Sequence, residues 1–170
     1  RRQRQMCIRD SYYQGDENTP GLKDWDVIRD DIMMLCDDNF GHVRTLPNEE
    51  ERKHPGGFGM YYHFDYHGGP TSYEWVNTVP LTKTWEQMNM AYEHGIDNIW
   101  IVNVGDLKPM EMNISYFLDM AYDYDTWGTN GKDKITEYRK NWVKQQFGEN
   151  TSDSLVNEME KLLDDYTWLN

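Results

Sequence analysis

The apolar positions of this chain fall into two rhythms. In the first two-thirds, three short runs are continuous rather than alternating: Ile32–Cys36, Met60–Phe64 and Ile99–Val104. Runs of that length and character predict strands buried on both faces of a parallel sheet. Each run gives way to a polar cluster carrying an acid, namely Asp37-Asp38-Asn39, Asp65-Tyr66 and Gly105-Asp106. A helix is predicted between the second and third runs. Thr84 stands as its N-cap with Gln87 three residues on, a capping-box spacing. Trp85, Met88 and Tyr92 form its apolar stripe, and Gly95 ends it.

Beyond Asp106 the rhythm is helical throughout. Ile114–Tyr122 reads as a short apolar helix. Ile135, Tyr138, Trp142, Val143 and Phe147 follow a helical period ended by Gly148. Leu155, Val156, Met159, Leu162, Leu163 and Tyr166 follow another after the polar stretch Asn150–Ser154. The turn-rich Thr126–Gly131 predicts a boundary. Asp38, Asp65 and Asp106 lie 27 and 41 residues apart, against about 30 residues per βα unit of an eight-fold barrel. The expected fold class is α/β: the C-terminal part of a (β/α)8 TIM-type barrel over residues 12–126, then the opening of a helical bundle domain over residues 127–170. Three strands cannot close a barrel, so exposed sheet edges are expected, and with them instability or aggregation of this piece alone. A free-standing α/β domain with a three-stranded sheet is the alternative architecture.

Residues 1–11 stand apart from this pattern. Met6-Cys7-Ile8-Arg9-Asp10-Ser11 resembles the translated end of a transposase adapter, and Arg1-Arg2-Gln3-Arg4-Gln5 continues it in frame. Sequence of that origin carries no information about the fold. A natural basic tail or presequence is the competing reading. On the adapter reading the natural N-terminus is missing and the chain is a piece of a longer protein.

Composition narrows the function classes. The 170 residues are 38% hydrophobic and 14% aromatic, too aromatic for a disordered chain. No apolar run is long enough to span a bilayer, and no membrane partner is expected. Without the first ten residues, thirteen Lys and Arg face twenty-nine Asp and Glu, a formal −16. Phosphate backbones require clustered cations, so no nucleic-acid partner is expected. One or two local cations still suffice for an anionic sugar. Cys36 is the one cysteine beyond the first ten residues, which leaves no disulfide framework.

Acids at the C-terminal ends of successive strands occupy the position where barrel enzymes keep their catalytic groups. The bland reading of each is an N-cap for the following helix. Inverting glycoside hydrolases need two carboxyls about 6.5–9.5 Å apart, and strand spacing alone does not select the pair. The densest stretch is Gly56–Pro70. Its Tyr61, Tyr62, Phe64 and Tyr66 offer rings on which sugars stack, although the inward-facing half of such a set belongs to the core. His63 and His67 are four apart, a zinc spacing on a helix. They sit on or just after a strand with no metalloprotease glutamate between them, so no metal is expected and His63 is read as a hydrogen-bonding group for substrate. No cofactor is expected.

Five segments together resemble glycoside hydrolase family 115, the xylan α-1,2-glucuronidases: Asp37-Asp38-Asn39-Phe40-Gly41, Tyr61–Tyr66, Trp75-Val76-Asn77-Thr78, Trp85–Asn89 and Ile99–Glu111. The resemblance runs in order from about Val27 to Leu118. It implies a barrel catalytic domain followed by a helical domain, and inverting removal of glucuronic acid or its 4-O-methyl ether from glucuronoxylan or aldouronic acid oligosaccharides. It implies Asp38, Asp65, Asp106 and Glu111 as candidate catalytic carboxylates, with acid and base unassigned among them. Asn39, His63 and Asn103 are expected to hydrogen-bond sugar hydroxyls, Tyr61 and Tyr66 to contact substrate, and Arg44 and Lys108 to face the uronate carboxylate. The chain departs from the family pattern at Phe40 (usually Trp), His42 (Asn), His67 (Val) and Thr71 (Arg). With the earlier part of the site missing, the piece is expected to be inactive. The full-length protein is expected to be secreted or periplasmic, with a homodimer left open. A non-catalytic carbohydrate-binding domain and a barrel hydrolase of other sugar specificity are the alternatives.

Overall fold

The computed structural model describes residues 15, 18–66, 76–129 and 131–169. The adapter-like segment 1–11, His67, Gly68-Gly69-Pro70, Thr71 and Trp75 lie outside the described residues. Three strands, β1 (Met33–Cys36), β2 (Phe58–His63) and β3 (Ile99–Asn103), form one sheet in the order β1-β2-β3. β1 and β2 pair in parallel, with Met33 opposite Phe58 and Cys36 opposite Tyr61. β3 runs the same way as β2: Asn98 donates to the Phe58 carbonyl (3.0 Å) at one end, and Phe64 donates to the Asn103 carbonyl (2.8 Å) at the other. The chain is thus α/β with a parallel sheet, as the acid-tipped runs predict.

Burial differs from the expectation for two of the three strands. Only β2 is buried along nearly its whole length, Tyr61 being half-buried. β1 buries Met33 and Leu35 but exposes Met34, and β3 exposes Ile99 and Ile101. At Gly59, the register partner of Met34, there is no side chain, and Met34 and Ile99 lean into the space that a Cβ would occupy.

The described residues form two compact units, one within Arg1–Tyr62 and Met90–Val102, the other within His63–Asn89 and Asn103–Asn170. In the first, Met33, Leu35, Phe58, Met60, Tyr62, Ala91 and Ile96 form the core. Tyr62 is fully buried and donates its hydroxyl hydrogen to the Gly41 carbonyl at 2.9 Å. It is therefore a core residue, as the inward-half reading of the tyrosines predicts.

Helix α1 (Leu81–Glu93) begins earlier than the capping-box spacing suggests. Thr84 is not its N-cap: it lies one turn inside, fully buried, with Oγ1 unpartnered, and its N–H reaches the Pro80 carbonyl at 3.3 Å. Burial of the Leu81, Thr84 and Met88 face overrides the local capping signal. The C-terminus ends as predicted. Gly95 at φ 80 donates to the Tyr92 carbonyl, and Ile96 donates to that of Ala91, the paired bonds of a Schellman motif.

The second unit is mainly helical. Helix α2 (Glu111–Tyr122) buries Met112, Asn113, Tyr116, Phe117 and Met120. The short α3 (Tyr124–Trp127) occupies part of the predicted turn region, with Asp123 capping it through Thr126 N–H at 3.1 Å. Two bonds tie this region to α1: Trp85 Nε1 donates to the Gly128 carbonyl (2.6 Å) and the Tyr124 hydroxyl donates to Asn89. Helices α4 (Gly131–Phe147) and α5 (Asp153–Leu169) follow. Arg139 of α4 is buried against two acids of α5, Glu160 at 2.7 Å and Asp164 at 3.0 Å. Tyr138 packs edge-on against Tyr116 and Trp127, each at 5.0 Å, and donates to Asp119 at 2.6 Å. Burial pushes both the Tyr116 and Tyr138 phenols well above the ordinary tyrosine range, and the Asp119 carboxylate adds to the rise at Tyr138.

Candidate active site

In the first unit Asp38 and Asn39 sit on a tight loop that follows β1, Arg44 comes just after it, and Tyr61 lies on β2. The chain turns back between Asp37 and Val43, and Asp38 N–H donates to the His42 carbonyl at 3.0 Å. Two consecutive carboxylates organise this turn. Asp37, buried, accepts the N–H groups of Asn39 and Gly41, each at 3.0 Å. Asp38 Oδ1 accepts those of Phe40 (2.9 Å) and His42 (3.1 Å), and Oδ2 lies 3.1 Å from His42 Nδ1. Asn39 adopts φ 75, a conformation asparagine tolerates better than most residues.

The electrostatics of Asp38 follow from these contacts. Burial by itself raises its carboxyl, but the Phe40 and His42 N–H groups and the His42 ring outweigh that and hold it below the usual aspartate range. Asp38 is therefore suited to remaining ionised. Asn39 and Tyr61 are half-buried and Arg44 is exposed. A cavity of about 440 Å³ in this unit opens at the other end of the strands, where Met33 and Phe58 line it. It takes in none of the candidate residues.

The second unit carries the remaining candidates. His63, the last residue of β2, is 3% exposed and meets Tyr66 edge-on at 5.8 Å. Asp65 is half-buried, and its N–H donates to the Asn103 carbonyl at 3.3 Å. Asn103 also accepts at its side chain, from Gly105 N–H at 3.4 Å. Asp106 and Lys108 are exposed. Glu111 opens α2, where a negative charge is favoured by the helix dipole, and Lys108 Nζ lies 3.1 Å from its Oε1. The fold therefore brings together Asp65 with Asn103 and Gly105, His63 with Tyr66, and Lys108 with Glu111. Asp106 projects from its own turn.

Three residues with a part in this geometry are not among the site candidates read from the sequence. Asp37 and His42 build the Asp38 turn, and Gly105 lies against Asp65. The Asp-x-Asn and Asp-x-Phe spacings carried a legible signal, since aspartate side chains commonly cap N–H groups two residues on. Each unit carries its own chemistry: in the first, the Asp38 carboxylate beside the His42 ring; in the second, the Asp65, Asp106 and Glu111 carboxylates, with Lys108 on Glu111 and the His63–Tyr66 ring pair. Carboxylates of this kind suit acid–base work on an uncharged bond between sugars. Among the described residues no group of three or more His, Cys, Asp or Glu converges as a metal site.

Comparison with known proteins adds to this geometry. Residues 9–170 match the family model described as glycosyl hydrolase family 115. The fold is similar to a solved structure described as a novel family GH115 4-O-methyl-alpha-glucuronidase with specificity for decorated arabinogalactans, at 35% identity and a TM-score of 0.69. That match covers 80% of this chain and 17% of the other. No curated protein matches significantly.

Proposed function

Since the chain belongs to glycosyl hydrolase family 115, we propose that it forms part of a glycoside hydrolase that releases α-1,2-linked glucuronic acid, or its 4-O-methyl ether, from glucuronoxylan or aldouronic acids. In this reading the parallel strands are part of a (β/α)8 barrel and α4 and α5 open a helical domain. The boundary at 126 and the incompleteness of the site in this piece belong to the same reading. The mechanism is inverting, with one carboxyl protonating the leaving oxygen and another activating a water.

The observation that carries it is the placing of Asp65. It follows a parallel strand within the family match, with Asn103 bound to its backbone, as barrel enzymes place catalytic groups. Asp38, held ionised, fits the base or a fixed charge that orients substrate. The proton donor then falls to Asp65, Asp106 or Glu111. Asn39, His63 and Asn103 supply hydrogen bonds to hydroxyls, Tyr61 and Tyr66 supply rings, and Arg44 and Lys108 attract the uronate. No cofactor enters the reaction, and a homodimer of the secreted or periplasmic full-length protein remains compatible with it.

The test is kinetic. In the full-length protein, Asp65→Ala and Glu111→Ala are expected to cut turnover of an aldouronic acid at least about a hundredfold while leaving binding measurable. Unchanged rates in both variants overturn the assignment. A second reading is favoured by the solved relative's described specificity: the same uronic acid carried on a decorated arabinogalactan. Parallel assays on aldouronic acids and on glucuronate-bearing arabinogalactan oligosaccharides separate the two. Binding of either without hydrolysis by the full-length protein would favour a carbohydrate-binding domain.

A further inference from the structure

Gly105 lies in the turn after β3, between two candidate residues, and has no chemistry of its own. Its backbone is left-handed, at φ 61. A Cβ built on it would stand 2.5 Å from Oδ2 of Asp65, 2.9 Å from its Cβ and 3.0 Å from its Cγ. Two constraints therefore favour glycine here. One is the positive φ, which L side chains rarely adopt. The other is the Asp65 side chain, which takes up the space that a Cβ would need. Gly148 separates them, because it has φ 100 and nothing within 4 Å of a Cβ.

Asn103 holds the same acid from another side. Its carbonyl accepts the N–H groups of Phe64 (2.8 Å) and Asp65 (3.3 Å), while its Oδ1 accepts that of Gly105 (3.4 Å). Asn103 thus anchors both the backbone of Asp65 and the backbone that Asp65's carboxyl leans on. We propose that Gly105 is a positioning residue for Asp65: the side chain it lacks leaves the space in which the carboxyl rests. Any Cβ at this position turns the carboxyl away from its resting geometry. The carboxyl cannot retreat along its own backbone, which the Asn103 carbonyl holds. This role rests on the reading of Asp65 as a catalytic carboxylate, whereas the packing of Gly105 on Asp65 does not.

The experiment uses Gly105→Ala, Gly148→Ala, Asp65→Ala and the Gly105→Ala/Asp65→Ala double variant, all in the full-length protein. For an aldouronic acid, kcat is expected to fall about tenfold to a hundredfold in Gly105→Ala, as displacement of a reacting group by about 1 Å does, with KM nearly constant. Gly148→Ala, strained but uncrowded, is expected to keep the native kcat. In thermal unfolding, Gly105→Ala is expected to lower Tm more in the native background than in Asp65→Ala, where Oδ2 and Cγ are gone and only the Cβ contact at 2.9 Å remains. An equal drop in both backgrounds overturns the packing claim. A native kcat in Gly105→Ala, where Asp65→Ala abolishes turnover, overturns the positioning claim. If Gly105→Ala fails to fold, a Gly105→Ala/Asp65→Gly double variant, which removes the residue-65 Cβ as well, decides: restored folding supports the proposal, and continued failure overturns it. Should Asp65→Ala leave turnover intact, the catalytic reading falls and the positioning role falls with it, while the Tm comparison still settles the contact by itself.

Discussion

Replacing Asp37 with alanine probes the turn that presents Asp38. The Asp37 carboxylate is 3% exposed and uses both oxygens, one for the N–H of Asn39 and one for that of Gly41. Hydrogen bonds to a charged acceptor contribute about 1.5–3 kcal/mol each, and a buried donor left without a partner costs about 1–3 kcal/mol. The Gly41 N–H is buried, whereas Asn39 is half-buried and water can reach its N–H. The expected loss is therefore about 3 kcal/mol, a fall in Tm of about 6–12 °C for a chain of this size. Asp37→Asn is expected to fall nearly as far. It keeps the shape but turns one acceptor into a donor that faces a donor. Differential scanning calorimetry measures the loss, and amide hydrogen exchange locates it, with faster exchange expected at Gly41. A Tm within about 1 °C of the native protein, with Gly41 exchange unchanged, would refute the reasoning, since two charge-assisted bonds, one of them buried, cannot vanish at so small a cost.

Two further predictions concern charge. Arg139→Ala strands Glu160 and Asp164 beside an emptied buried position and is expected to destabilise by about 3–5 kcal/mol. Arg139→Met with Glu160→Met, which replaces the tighter pair by packing of similar volume, is expected to recover much of that in urea unfolding; no recovery would show that the pair itself supplies the stability. Asp38, whose folded pKa is lowered, contributes stability that is complete above its unfolded value of about 3.9 and is lost as pH falls through the lower folded value. Asp38→Asn is thus expected to flatten the dependence of Tm on pH below about pH 4, and parallel curves for the two proteins would contradict the contacts assigned to it.

Much of the architecture was legible in the chain. The three apolar runs became three strands within two residues of their expected bounds, and the pairing is parallel. The helical periods ended at Gly95 and Gly148, since a left-handed residue closes a helix whatever surrounds it. These features are local: a period of 3.6 residues, an unbroken apolar run and a glycine stop are all written in neighbouring residues.

Other features depended on partners distant in sequence. Thr84 carried a sound capping signal but lies inside α1, because burial of that face began the helix at Leu81. Met34 and Ile99 belong to apolar runs yet stand exposed, leaning over a glycine on the central strand. At the candidate site the residue types were visible, and the geometry was not. That Asp37 and Asp38 divide four N–H groups between them follows from the dihedral angles of one turn. That Asp65 rests on Gly105 follows from the register of β3 beside β2, forty residues away in the chain. Composition and periodicity specify which faces avoid water. Which oxygen meets which hydrogen requires distances of a few tenths of an ångström, and these are set only once the elements have packed.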